Sequence, residues 1–335
     1  MFDAGGSVSR LRPGALLWVS LPGPVLTKED RDFLQKIDPQ GVVIFRENVV
    51  TPSQVRELNM SVRAACPSGQ VLIAVDQEGG RVARLREGVP QLPPMRRLGE
   101  GEDPERIRTA GRDLGRALRE MGFDIDFAPV LDVDSNAANP IIGDRSFSSD
   151  PLKVGPLAMA FAQGLKEEGI IPCGKHFPGH GATDLDSHLD LPFVNADRET
   201  LENRELSPFR YAISVGIPLL MTAHVVYPAW DERFPATLSR RIITGLLRER
   251  LGFSGLVLSD DLLMKAVAKG GVVNAALAAL EAGCDGLLVL RNGRAAMEVF
   301  EAVAEGLAAG SEPVLRALER VEKWFSDASP GAKDR

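Results

Sequence analysis

Apolar residues fall along the chain in two patterns. Eight short continuous runs occur at 15–21, 41–45, 71–75, 125–131, 170–174, 217–221, 255–258 and 286–290. Continuous rather than alternating polarity is the mark of parallel strands buried on both faces. Between these runs lie longer stretches with a helical period and clear end signals. Thr51-Pro52 places an N-cap before a proline at the first helical position, and Gln54 is spaced to complete a capping box. Val55, Leu58, Val62 and Ala65 then share one face. Asp103-Pro104 opens a second such helix with Ile107, Ala110, Leu114, Leu118 and Met121 on its apolar face, stopped by Gly122. Asp150-Pro151 and Ser239 open two more, stopped by Gly169 and Gly252, and the period also fits 28–37, 197–214, 272–283 and 294–306. A last amphipathic stretch at 312–325 carries Leu315, Leu318, Val321 and Phe325 on one side, and the polar residues 326–335 are expected to fray.

Eight strands alternating with eight helices predict an α/β fold, a single (β/α)8 TIM-type barrel with an extra C-terminal helix. One catalytic domain is expected over 1–335, with its core at about 14–310 and the terminal helix at 311–325. A doubly wound open sheet is the alternative, but no Gly-x-Gly-x-x-Gly follows the first strand. Neither an interdomain linker nor an internal repeat breaks the pattern.

Charge narrows the function classes. The 39 Lys and Arg against 46 Asp and Glu leave a net −7, with no basic block, which argues against electrostatic nucleic-acid binding. No apolar run is long enough for a membrane span. The chain opens Met1-Phe2-Asp3 without the basic region of a signal peptide. Cys66, Cys173 and Cys284 are odd in number and widely spaced, as expected of reduced structural thiols in a cytoplasmic protein, taken here as a monomer.

In such a barrel the chemistry sits where the strands end. Seven of the runs lead into polar groups: Arg46-Glu47-Asn48, Asp76-Gln77-Glu78, Asp132 with Asp134, Lys175-His176, Thr222-Ala223-His224, Ser259-Asp260-Asp261 and Arg291-Asn292. Three of the four histidines, His176, His180 and His188, fall between 175 and 188, in a region that shows no regular period from 177 to about 196. A loop of that length in a compact fold is usually functional. His176 and His180 are spaced like a metal pair, but Pro178 and Gly179 between them keep both off one helix face. Loop histidines that only bond backbone are a second reading. Acid/base chemistry is the third: Asp186 and His188 are two apart, so a carboxylate can set the tautomer of the imidazole and raise its pKa. Asp260 leaves an apolar strand straight into the rim, as a rigidly held nucleophile would, while Asp261 beside it should turn another way.

These segments resemble a known family. Lys175-His176-Phe177-Pro178-Gly179-His180-Gly181, followed by Asp186-Ser187-His188, is similar to a signature of the family 3 glycoside hydrolases, in their β-N-acetylhexosaminidase branch. So are Ala74-Val75-Asp76-Gln77-Glu78-Gly79-Gly80-Arg81-Val82, Gly143-Asp144-Arg145-Ser146-Phe147 and Ser259-Asp260-Asp261-Leu262 with Met264. The resemblance implies a (β/α)8 barrel and a retaining double displacement on terminal N-acetyl-β-glucosaminyl residues, probing carbohydrate and needing no cofactor or metal. It makes Asp260 the nucleophile, His188 the acid/base and Asp186 its partner, with Asp76, Arg84, Arg145, Lys175 and His176 binding the terminal sugar. Its natural substrates would be cell-wall muropeptides, cleaved during peptidoglycan recycling. Leu263 and the short segment 265–273 depart from the relatives' pattern beside Asp260. A β-glucosidase or xylosidase of the same superfamily, an inert sugar-binding relative, and salt-bridge roles for Arg84 and Arg145 stay open at this point.

Overall fold

The computed structural model describes residues 11–183 and 191–328. All eight apolar runs become strands of one parallel sheet: β1 (Leu17–Ser20), β2 (Gly41–Ile44), β3 (Leu72–Val75), β4 (Ile125–Asp126), β5 (Ile171–Phe177), β6 (Leu219–Thr222), β7 (Leu256–Leu258) and β8 (Leu287–Leu288). Each pairs with its sequence neighbour, and β8 pairs with β1 in the register Leu17↔Leu287. The ring closes at a parallel bridge between Leu258 and Gly286, where the Ser259 amide donates to the Gly286 carbonyl at 2.8 Å. In the interior, Trp18 packs 5.9 Å from Phe127 and donates its indole N–H to Gln40 at 2.6 Å. It fits because its neighbours on β2 and β8 are Gly41 and Gly286, where a Cβ would come within 2.2 Å and 2.8 Å of the indole.

The helices surround this ring: α1 (Lys28–Ile37), α2 (Pro52–Ala65), α3 (Pro104–Glu120), α4 (Pro151–Glu167), α5 (Leu206–Ser214), α6 (Arg241–Arg250), α7 (Val272–Ala282) and α8 (Gly293–Ala308), with α9 (Glu312–Ala328) added at the end. The side chains of Asp103, Asp150 and Ser239 accept amide bonds at the starts of α3, α4 and α6, and Gly122, Gly169 and Gly252 turn left-handed after them. None of the described helices is long and apolar enough to cross a membrane. Cys66, Cys173 and Cys284 are buried free thiols.

Five local expectations need correction. The fourth run is a ladder for only two residues, because Pro129 has no N–H to give; pairing resumes at Val130↔Lys175. The fifth strand runs three residues further, so Lys175 and His176 lie within the sheet rather than beyond it. The helix at 197–214 is two helices, Arg198–Asn203 and α5, since Pro208 suits a first turn but not a helix interior. Gln54 does not close a capping box: its side-chain oxygen takes the Val50 amide, one residue early, at 2.8 Å. On α9 the buried face shifts to Val314, Ala317, Leu318 and Val321, leaving Leu315 and Phe325 half-buried.

The α3–α4 pair packs backbone on backbone. A Cβ on Gly164 would stand 2.1 Å from the Arg108 carbonyl oxygen, and one on Gly111 would stand 2.3 Å from that of Phe161. Neither carbonyl can rotate away without breaking its helix. Gly164→Ala is therefore expected to destabilise the fold by about 1–3 kcal/mol, the usual cost of overpacking, despite alanine's better helix propensity. Urea unfolding followed by far-UV circular dichroism measures it.

Candidate active site

The C-terminal ends of the strands surround a cleft of about 240 Å³. Asp76, Glu78, Arg84, Arg145, Lys175 and His176 line it from the β3–β5 side, and Asp260, Met221, Met264, Leu288 and Arg291 from the β6–β8 side. Thus Asp76, Arg84, Arg145, Lys175, His176 and Asp260, singled out in the sequence, meet in one place. Asp186 and His188 lie outside the described residues.

The floor is a charge cluster. Lys175 Nζ lies 2.6 Å from Asp76 Oδ1 and 2.7 Å from Glu78 Oε1. Arg145 grips Glu78 with two parallel bonds of 2.8 Å, and Arg84 reaches Asp76 at 3.2 Å. The salt-bridge reading of Arg84 and Arg145 therefore holds, while both still line the cleft. Burial opposes the charge on Glu78, but Arg145 and Lys175 outweigh it and hold its pKa well below the usual carboxylate range. Asp76 is likewise lowered, against burial, by Lys175 and Arg84. Burial works against the Lys175 ammonium too, yet Asp76 and Glu78 raise its pKa. All of these groups are ionised at neutral pH, which suits fixed hydrogen bonding to sugar hydroxyls.

Asp132 organises the segment beyond β5. Its carboxylate accepts the His180 amide at 2.7 Å and the His176 amide at 3.2 Å, and takes His176 Nδ1–H at 2.7 Å. Because a carboxylate only accepts, Nδ1 of His176 carries a proton and the ring is held in one orientation. His180 is buried behind it, its Nδ1 2.8 Å from the Thr183 hydroxyl, and burial with the neighbouring His176 pushes its pKa down to about 4. Asn139 donates to the His180 and Gly181 carbonyls, both at 2.9 Å, and Tyr227 donates to that of Gly179 at 2.5 Å. Gly181 is required here, since a Cβ would fall 1.5 Å from the Val133 oxygen. His224 is fully buried between the Thr237 hydroxyl and the Asp261 carbonyl, at 2.8 Å and 3.0 Å, and is structural.

Asp260 is half-exposed in the cleft, with its Oδ1 2.7 Å from the Asp261 amide. Asp261 turns its own carboxylate to the amides of Leu263 and Leu290, at 3.1 Å and 3.3 Å, and burial pushes its pKa up to about 6. Both neighbours line the cleft, but the Asp261 carboxylate is tied to two backbone amides of the scaffold.

Sequence reasoning assigned no role to Glu78, Asp132 or Asp126. Glu78 and Asp132 were visible as polar strand-end residues; the signal for Asp126 was a carboxylate inside an apolar run. Asp126 is fully buried, accepts the Gln77 amide at 2.9 Å with one oxygen, and leaves the other without a partner among the described residues. Burial raises its pKa to about 8. The unfolded chain would lose this proton near pH 4. Stability from the protonated form is therefore full below pH 4 and is lost as pH rises through about 8. Asp126→Asn is expected to flatten the fall in stability between pH 4 and 8, read from urea midpoints across that range.

Residues 14–324 match the profile described as the glycosyl hydrolase family 3 N-terminal domain. A protein named beta-hexosaminidase from Thiobacillus denitrificans is 43% identical over 294 residues, 85% of this chain and 80% of that one. The structure of a glycoside hydrolase family 3 beta-N-acetylglucosaminidase from Paenibacillus sp. superposes with a TM-score of 0.90 at 35% identity, covering 96% of this chain and 62% of that chain. NagZ from Neisseria gonorrhoeae, solved with N-trifluoroacetyl-D-glucosamine, gives 0.79 at 33% identity over 93% of this chain and 98% of that one.

Proposed function

Because the chain belongs to the glycosyl hydrolase family 3, we propose that it is a retaining exo-β-N-acetylglucosaminidase acting on terminal N-acetyl-β-glucosaminyl residues. The observation that carries this reading is the shared cleft of Asp260 and the Asp76–Lys175–Glu78–Arg145 cluster: a half-exposed carboxylate faces a floor of fixed donors and acceptors. On this reading Asp76, Arg84, Arg145, Lys175 and His176 hold the sugar. An oxygen of Asp260 attacks the anomeric carbon as the bond to the leaving oxygen breaks. His188, protonated and steadied by Asp186, gives its proton to that oxygen. Neutral His188 then takes a proton from water, whose oxygen attacks the same carbon and frees the Asp260 carboxylate. An oxocarbenium-like transition state gains from the carboxylate beneath it.

The natural substrate on this reading is a cell-wall muropeptide, cut between N-acetylglucosamine and the following muramic acid unit. The enzyme would work as a monomer, one catalytic unit without a cofactor, in the cytoplasm, where buried free thiols such as these persist.

Initial rates on 4-nitrophenyl N-acetyl-β-glucosaminide and 4-nitrophenyl β-glucoside test the reading. Preference for the acetamido sugar is expected to exceed about a hundredfold. Asp260→Ala should lower turnover by about a thousandfold or more with an unchanged circular dichroism spectrum. Equal rates on the two sugars would overturn the substrate, and an active variant would overturn the nucleophile.

A further inference from the structure

We propose that Arg291 is a specificity residue that selects leaving groups bearing a carboxylate. This rests on the glycosidase reading above and adds a residue to which that reading gives no role. The cleft has a closed floor and an open rim. Its floor cations are buried, with side-chain exposures of 3% for Lys175 and 11% for Arg145, and Arg84 in its wall reaches 28%. Arg291, at 58%, is the most exposed cation lining the cleft among the described residues. A terminal sugar seated on the floor must send its leaving group out past the rim, where Arg291 stands one strand from the Asp260 carboxylate.

Its position is tightly set. Just before it, the Leu290 amide donates to Asp261, the neighbour of Asp260, at 3.3 Å; its own amide donates to the Ser20 hydroxyl at 2.7 Å. Between these two anchors its backbone is left-handed, with φ of 58°. Glycine would suit that conformation, so an arginine there keeps its side chain against a local preference, as residues at functional sites often do. The guanidinium carbon lies over the Phe45 ring, 4.0 Å from its centroid, which fixes the direction of the side chain. Only Nε is engaged, by the Glu47 carboxylate at 3.0 Å, and that pair is exposed and therefore weak. The two terminal nitrogens have no bonded partner among the described residues, and they form the planar edge that matches a carboxylate.

The test compares kcat/KM for N-acetylglucosaminyl-β-1,4-N-acetylmuramic acid with that for its carboxyl methyl ester, which differs only in charge. The wild type should favour the acid about fivefold, the scale of an exposed charge pair, and lose the preference at high salt. Arg291→Gly, which suits the backbone, should bring the ratio to one through a larger loss of kcat/KM on the acid than on the ester. Glu47→Gln, which releases the guanidinium, should keep or raise the ratio. A wild-type ratio of one, or equal losses on acid and ester in Arg291→Gly, overturns the proposal. Failure of the wild type on the nitrophenyl glycoside would instead overturn the function proposed above.

Discussion

Lys175 carries an ammonium to a place with 3% side-chain exposure, where water cannot solvate it. Removing one partner from such a buried pair typically costs about 3–5 kcal/mol, because the remaining charge is left unpaired. The barrel mouth is arranged around that constraint. Asp76 and Glu78 must approach Lys175 together, and two like carboxylates so close need further cations, which Arg84 and Arg145 provide. Those cations come from the segments after β3 and β4, so the cluster also fixes where two loops run. A cleft floor made of mutually committed charges has little freedom to rearrange when a ligand arrives. Its polarity is set before binding, which is the condition under which electrostatic complementarity is most effective.

Asp132 performs a different task with the same chemical group. Among the described residues it pairs with no arginine or lysine; it gathers two backbone amides and one imidazole N–H. Burial opposes its charge, yet His176 and the hydrogen bonds keep its pKa low. The chain from His176 to Thr183 is thereby wound around one carboxylate, with Asn139 and Tyr227 holding the carbonyls that Asp132 cannot. One side of the barrel mouth is fixed by ion pairing and the other by backbone capture.

The strands were legible because burial on both faces keeps the runs almost wholly apolar, with Ser20 and Asp126 the exceptions, and all eight runs lie in the sheet. Helix ends were legible where a single residue decides them, as at Asp103, Asp150 and Gly122. What the sequence hid was anything decided by a distant partner. Gln54 meets Val50 rather than Thr51 because its amide nitrogen is also drawn to the Pro24 carbonyl. The end of β5 was placed early because Lys175 and His176 look like loop residues until carboxylates from other strands surround them. Of the predicted cleft residues, Asp76, Arg84, Arg145, Lys175, His176 and Asp260 could be named by resemblance. Glu78 lies in one of the resembling motifs but was given no role, since its role is in its ion pairs with Lys175 and Arg145, and Asp126 lies in no motif and is tied to the Gln77 amide.

The ring also has a temporal side. β1 is complete only when β8 lies against it, and Leu17 and Leu287 are at opposite ends of the sequence. A chain emerging from its N-terminus holds a strand with one unpaired edge through nearly all of its synthesis. Its apolar residues, Leu17, Trp18 and Val19, are fully or almost fully buried in the finished barrel, so their exposure in the growing chain invites contact with other chains. The cleft draws on every segment from β2 to Arg291, so it too exists only after closure. Catalytic competence is therefore the last property this chain acquires, arriving with the same event that hides its most aggregation-prone edge.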